Sequence, residues 1–299
     1  MAQIVVTTGE RFCDIDALAC VIAYQEIPSQ PAIPVISGPL NQSVSKEIRE
    51  WKINYLTTIK DKGFDYVIVD VSEKSQLPAF VNQERIIEIY DHHFGFEKPW
   101  QEKLGPKAKI EEIGACATLI WEEYQARKPK QKITALAANL LYTAIVSNTL
   151  NFQASITTAR DKNAFEELKP LTNLPKNWIA TYYLDQEKEI YRKPETVIKN
   201  DTKIQTIKGM KCAFGQLELW NSRDFLTENA NRVEAILKEF GTETWLLSSP
   251  CISEGRNYIF TKNPILKNQL SKTMPISFEG NIGITKILYL RKEILQKIQ

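Results

Sequence analysis

Apolar and polar positions alternate in two different textures along the chain. Up to about residue 190, compact apolar runs of strand length trade places with stretches of helical period. "QIVVTTG" (3–9), "AIPVIS" (32–37), "DYVIVDVS" (65–72) and "RIIEIYD" (85–91) read as strands. Residues 14–27, 43–53, 115–126, 132–148, 157–168 and 177–191 repeat apolar side chains every three to four positions and read as helices, the first opened by the acidic cap Asp14. Strand–helix alternation predicts a parallel sheet with helices on both faces. The two prolines of "KPLTNLPKNW" (169–178) break this pattern, and "RKPETVIKNDTK" (192–203) reads as a connector. Beyond it the signals turn strand-rich. A hairpin over 203–220 turns at Lys208-Gly209, a helix covers about 227–240, and strands follow at 244–249, 256–262 and 285–294. The expected organisation is an α/β domain over 1–188 and a smaller α+β domain over 189–299.

Composition narrows the class. At 299 residues the chain can bury a large core, and 43% hydrophobic with 25% charged residues is ordinary for a globular protein. Its 38 basic and 36 acidic residues leave a net charge of +2, which argues against a broad electrostatic surface for nucleic acid or membrane. Five cysteines (Cys13, Cys20, Cys116, Cys212, Cys251) are odd in number, scattered and without a CxxC pair, as expected of reduced thiols in a cytoplasmic protein. Cys13, beside Asp14, reads as a small packing residue more readily than as a nucleophile. The opening "MAQIVVTTGE" goes straight into a strand with no basic flank. The most apolar long stretch, 135–146, falls short of the roughly 20 residues that span a bilayer.

Candidate chemistry sits at the strand ends. Asp14 and Asp16 follow the first strand, Asp70 ends "YVIVD", and Asp91, His92 and His93 follow "RIIEIY"; the chain has no other histidine. In a parallel sheet these positions share one carboxyl edge, where open α/β sheets carry their ligands. Asp14 and Asp16, two apart, can each serve one of two neighbouring divalent ions, and Asp70 between them can bridge both. Two ions roughly 3.5–4 Å apart clamp phosphoryl oxygens and acidify a water.

"DID", "VDVS" and "YDHHFG" resemble the successive motifs of the DHH phosphoesterase superfamily. "IGACATLIW" (113–121) and "LLYTAIVSNTLNFQASITTARD" (140–161) resemble its later motifs. "IKNDTK" (198–203) and "YLRKE" (289–293) resemble segments of the accessory domain in manganese-dependent (family II) inorganic pyrophosphatases and short-chain exopolyphosphatases. The resemblance covers most of the chain in motif order. It implies Asp14, Asp16, Asp70 and His92 as metal ligands, His93 as the histidine facing substrate, and Asp91 as the group orienting His92. It implies Lys203, Arg291 and Lys292 as phosphate-gripping cations, with Lys199 a weaker candidate. Two positions depart from the pattern. Glu10 stands where the first motif usually begins with a ligating histidine, and Asn148 where the fourth usually supplies a bridging Asp. An amide offers one neutral oxygen, so the second ion is expected to bind more weakly; Glu10 favours hard ions such as Mg²⁺ or Mn²⁺.

The resemblance implies a hydrolase of phosphoanhydride bonds, with pyrophosphate or short polyphosphate as its small substrate and two divalent ions (Mn²⁺ or Mg²⁺, with Co²⁺ as an alternative) as cofactors. Two other readings stand beside it: a nucleotide phosphodiesterase, and a degraded relative that binds phosphate ligands or a protein without turnover. The nucleic-acid branches carry a GGGH-type motif, which a chain lacking further histidines does not contain. No nucleic-acid or membrane partner is expected, and the sequence does not set the oligomeric state.

Overall fold

The computed structural model describes residues 2–28, 31–60 and 63–299. Its contacts divide the chain into two compact units, Met1–Phe152 with Ile156–Ile179, and Gln153–Ser155 with Ala180–Gln299. The boundary expected at 188/189 lies within a helix, nine residues beyond this division.

The first unit contains β1 (Ile4–Thr7), α1 (Ile15–Tyr24), β2 (Ile33–Val35), α2 (Lys46–Arg49), β3 (Asp65–Val69), β4 (Ile86–Asp91), α3 (Glu97–Leu104), β5 (Ala108–Ile110), α4 (Cys116–Arg127), α5 (Ala135–Asn148) and α6 (Ala159–Leu168). The sheet order is β2-β1-β3-β4-β5, with every pairing parallel. The chain leaves β1 to one side and returns on the other, so the strand order reverses between β1 and β3. At that point the loops after the two strands diverge and leave a crevice. α1 is buried along its whole length because α4 and α5 pack on the face it turns from the sheet, which is why its sequence is apolar all round. The opposite sheet face is covered by Trp100 of α3 and by Leu77 and Val81 of the β3–β4 loop.

The second unit continues α7 (Trp178–Arg192), followed by α8 (Pro194–Asn200), β6 (Thr202–Ile207), β7 (Met210–Gln216), α9 (Ser222–Lys238), β8 (Thr244–Cys251), β9 (Arg256–Phe260), α10 (Pro264–Thr273), β10 (Ile276–Glu279), β11 (Ile282–Thr285) and α11 (Arg291–Ile298). Its mixed sheet runs β10-β11-β9-β8-β7-β6. Phe225, Val233 and Leu237 of α9 pack on one face, and Leu266, Leu270, Ile294 and Ile298 of α10 and α11 pack on the other.

Two readings of this half change. The stretch expected to be a connector is helical: Pro194 occupies the first turn of α8, where a missing N–H costs nothing, and Val197 and Ile198 are buried. The strand expected over 285–294 is the end of β11 followed by α11. Ile294 and Ile298, four apart, supply its buried face, and the Glu293 carboxylate accepts from the Leu290 N–H at 2.6 Å to cap it. Arg291 and Lys292 are therefore the first two residues of a helix. α3, β5, α10 and β10 had no counterpart in the pattern. α3, for one, buries only Trp100.

Candidate metal centre

The three acidic segments converge where the strand order reverses. Asp14 caps α1, its Oδ1 accepting from the Ala17 N–H at 2.9 Å. Asp16, fully buried, accepts from the Cys116 and Ala117 N–H groups, each at 2.8 Å, and so caps α4 from a distance of 100 residues in sequence. A carboxylate has about four lone pairs, so both oxygens keep capacity after these bonds. Asp70 sits one residue past β3 at φ 59°, a left-handed conformation uncommon outside glycine and asparagine. Its N–H donates to the Tyr90 carbonyl at 2.8 Å, which holds the turn against β4.

His92 Nδ1 lies 3.2 Å from the Ile113 carbonyl. A carbonyl only accepts, so Nδ1 carries the proton and Nε2 presents its lone pair. That lone pair faces Asp70 Oδ1 at 3.5 Å and Asp16 Oδ2 at 3.8 Å. Asp70 Oδ1 is itself buried and makes no hydrogen bond. A lone pair aimed at buried carboxylates is repulsive unless a proton or a metal ion lies among them. Ligand atoms bound at about 2.1 Å to one ion sit roughly 3–3.5 Å apart, which the His92–Asp70 spacing meets and the His92–Asp16 spacing slightly exceeds. Candidate ligand atoms of Asp70, His92 and His93 all lie within 4.8 Å of one another. The donor set, imidazole with carboxylates, suits a divalent transition ion.

The electrostatics agree. Burial, and then Asp14 and Asp16, hold the Asp70 carboxyl well above the usual carboxylate range. Asp16 is pushed up to about 6 by burial, against the opposing pull of His92 and of the two α4 amides. A carboxyl that binds its proton more tightly folded than unfolded makes the fold most stable below its unfolded pKa of about 3.9. The metal-free protein is therefore expected to lose on the order of 3 kcal/mol as pH rises from about 4 through about 6. Divalent ions displace that proton, so their affinity should climb over the same window. Denaturant unfolding of the chelator-treated protein at pH 4 to 7.5 checks this; a stability that rises through the window would contradict it.

Asp91 corrects one expectation. Its Oδ1 accepts from the His93 ring Nδ1 at 2.8 Å and from the main-chain N–H groups of His92 and His93 at 2.8 and 3.1 Å. It therefore orients His93, whereas the Ile113 carbonyl orients the His92 ring. Residues two apart on an extended segment share a face, and neighbours do not. The bond to Asp91 raises the His93 pKa against the effect of burial. Burial alone would raise Asp91, but the bonds from His93 hold it below the usual range. Cys13 is fully buried and its thiol is pushed up by that burial, as suits a packing residue.

Beside these groups lies a cavity of about 260 Å³, lined by Gly9, Arg11, Asp14, Asp70, Ser72 and His93 among others. Glu10 is exposed, and the Asn148 amide donates to the Ala144 carbonyl of its own helix at 3.4 Å.

Sequence reading also missed Asp161. It is fully buried and accepts from the Gly114 and Ala115 N–H groups at 3.0 and 3.3 Å and from the Thr118 hydroxyl at 2.7 Å. It thus fixes the loop whose Ile113 carbonyl orients His92. A Cβ at Gly114 would meet its carboxylate at 2.8 Å. The Thr158-x-x-Asp161 capping box was the available signal.

Within the second unit, the Arg291 guanidinium pairs with Asp201, and its Nη1 is buried without a hydrogen bond. Lys203 and Lys292 are exposed. Lys199 is engaged with Glu239 at 2.5 Å on the surface. All five cysteines are free and buried, and among the described residues no helix is long and apolar enough to cross a membrane.

No family model matches the chain. A probable manganese-dependent inorganic pyrophosphatase from Clostridium acetobutylicum is 24% identical over 311 residues, covering 99% of this chain and 97% of that protein. A manganese-dependent inorganic pyrophosphatase from Methanothrix thermoacetophila is 23% identical, covering 100% and 98%. Among solved structures, a putative family II inorganic pyrophosphatase from Methanococcus jannaschii superposes with a TM-score of 0.61 at 22% identity over 99% of this chain and 97% of that one. An exopolyphosphatase-related protein from Bacteroides fragilis shares the fold at 0.53 and 12% identity, over 98% and 89%. Over its full length the chain is similar to manganese-dependent inorganic pyrophosphatases, and its two-unit fold is that of a family II inorganic pyrophosphatase, in agreement with the motif order and with the DHH branch that it resembles.

Proposed function

We propose that this chain is a divalent-metal-dependent hydrolase of phosphoanhydride bonds, with pyrophosphate or short polyphosphate as its substrate. The observation that carries the reading is the buried Asp70 oxygen that makes no hydrogen bond and faces His92 Nε2 beside an open cavity. Two ions per chain, Mn²⁺ or Mg²⁺ with Co²⁺ as an alternative, would be held by Asp14, Asp16, Asp70 and His92. When bound, such ions neutralise phosphoryl oxygens and acidify water. Glu10 and Asn148 complete the candidate set by position, and their replacement of a histidine and an aspartate supports weaker binding of one ion.

His93 supplies the proton chemistry. Its side chain is 62% exposed, and the Asp91 bond keeps it protonated to higher pH. A protonated imidazole there can donate to a phosphoryl or leaving oxygen. Lys203, Arg291 and Lys292 are proposed to balance the remaining phosphate charge, Arg by a forked contact and Lys as point charges; the Glu239 partner makes Lys199 the weakest of the four. Unpaired thiols support a reducing, cytoplasmic compartment.

Asp91→Asn should lower the His93 pKa, so the high-pH limb of the rate profile moves to lower pH and turnover falls about ten- to a hundredfold. The metal content should stay near wild type. The function is tested by phosphate release from pyrophosphate, tripolyphosphate and longer chains with Mn²⁺, Mg²⁺ and Co²⁺ in turn, against a phosphodiester control. Binding of metal and phosphate without release under any of these would replace catalysis with a ligand-binding role.

A further inference from the structure

Among the described residues, Arg11 is the one arginine with neither a hydrogen bond nor an ion pair. Arg49 donates to main-chain carbonyls, and every other arginine faces a carboxylate. Arg11 instead lines the cavity that holds Asp14, Asp70 and His93. Glu73 lines the same cavity without pairing with it. The Ser75 hydroxyl and the Gln76 amide engage the two Glu73 oxygens at 2.6 and 2.5 Å.

The main chain is held on both sides of Arg11. The Glu10 N–H donates to the Gln76 carbonyl at 3.0 Å, and the Cys13 N–H to the Pro39 carbonyl at 2.9 Å. A Cβ on Gly38 would stand 2.9 Å from the Glu10 carbonyl oxygen and 3.1 Å from the Phe12 backbone, so that strap lies close against the segment. A main chain ordered before binding lowers the ordering cost of a ligand that its side chain holds.

Charge decides the class of that ligand. Two divalent ions would offset Asp14, Asp16 and Asp70 and leave little positive charge over, and a protonated His93 is already matched by Asp91. Pyrophosphate carries more negative charge than this remainder. The cations proposed above to meet it, Lys203, Arg291 and Lys292, belong to the second unit. In the unit that carries the metal centre, Arg11 stands beside the cavity with its donors unused. A guanidinium stays charged at any working pH and presents its N–H groups in a planar fork that fits phosphate. We infer that Arg11 is a substrate-binding residue, whose guanidinium takes oxygens of the pyrophosphate held at the metal centre. This rests on the proposed function and adds a residue to it.

The test measures kcat/KM for pyrophosphate and, by calorimetry, the affinity for methylenediphosphonate, whose bridging carbon resists hydrolysis. Both are read on the full chain at saturating Mn²⁺. Arg11→Gln should lower each about ten- to a hundredfold, as the loss of hydrogen bonds to a charged group does. Arg11→Lys keeps the charge without the fork and should fall in between. Arg223→Gln removes an exposed, paired arginine of the second unit and should match the wild type, which controls for net charge. Mn²⁺ affinity without substrate should stay near wild type in Arg11→Gln. Unchanged kcat/KM and analogue affinity in Arg11→Gln overturn the inference while leaving phosphoanhydride hydrolysis intact. So does a loss that Arg223→Gln reproduces, or one that further Mn²⁺ reverses. If the wild type releases no phosphate, the proposed function fails and the analogue affinity alone decides. Tighter binding by the wild type than by Arg11→Gln then supports the inference, and equal affinities or no binding overturn it.

Discussion

Asp70→Asn is expected to abolish metal-dependent turnover while making the metal-free protein more stable. Loss of an outer partner of a metal ligand already costs about ten- to a hundredfold, so loss of the carboxylate facing His92 should exceed about a hundredfold in both metal affinity and rate. The stability effect runs the other way. Without an ion, Asp70 is a buried carboxyl beside Asp14 and Asp16 with an oxygen that bonds to nothing. Removing that charge should stabilise the metal-free fold by roughly 1–3 kcal/mol. Asn is among the residues that tolerate a left-handed backbone, so φ 59° adds no new strain. Calorimetric metal titration and unfolding of the chelator-treated variant read the two signs separately. A variant that is less stable without metal, or that binds metal normally, would mean that Asp70 is a structural residue.

Asn148→Asp is the second large effect, and it tests the departure from the family pattern. If a bridging carboxylate is what the site lacks, restoring it should tighten the weaker ion by on the order of tenfold to a hundredfold and raise turnover. A unit charge a few ångströms from a divalent ion is attracted strongly, but desolvation offsets most of that gain. The metal-free protein should pay a penalty of about 0.3–1 kcal/mol, because residue 148 ends α5 and a negative charge there opposes the helix dipole. It also loses the amide bond to Ala144. Adding Glu10→His should shift preference toward Mn²⁺ or Co²⁺ over Mg²⁺. If both replacements act on one ion, their effects should be non-additive; simple additivity would agree with the surface position of Glu10. Loss of activity in Asn148→Asp would indicate a site rebuilt around the amide.

The strand ends were legible because a parallel sheet brings every carboxyl terminus to one edge whatever the loops do. Periodicity alone therefore placed Asp14, Asp16, Asp70 and the two histidines together. What periodicity could not carry was the main chain. The Ile113 carbonyl that fixes the His92 tautomer has no side-chain signature, and neither has the left-handed turn at Asp70. The assignment of Asp91 to His92 overlooked the period of two on which the rest of the reading relied. In the second unit, "ILYLRKEI" pairs apolar with polar residues closely enough to pass for a strand. The i, i+4 burial of Ile294 and Ile298 decides for a helix only once β7, β8 and β9 are in place to pack against. Arg11 was hidden for a different reason, since an arginine in a loop usually signals a solvated surface.

The central claim is that the cluster of Asp70 and His92 hydrolyses phosphoanhydrides through bound divalent ions. Its most direct test is phosphate release from pyrophosphate by the chelator-stripped chain as Mn²⁺ is added back, with Asp70→Asn run in parallel. Release should be absent without metal, rise with Mn²⁺ to saturation, and remain absent in the variant. Release that needs no metal, or that Asp70→Asn retains, would contradict the account.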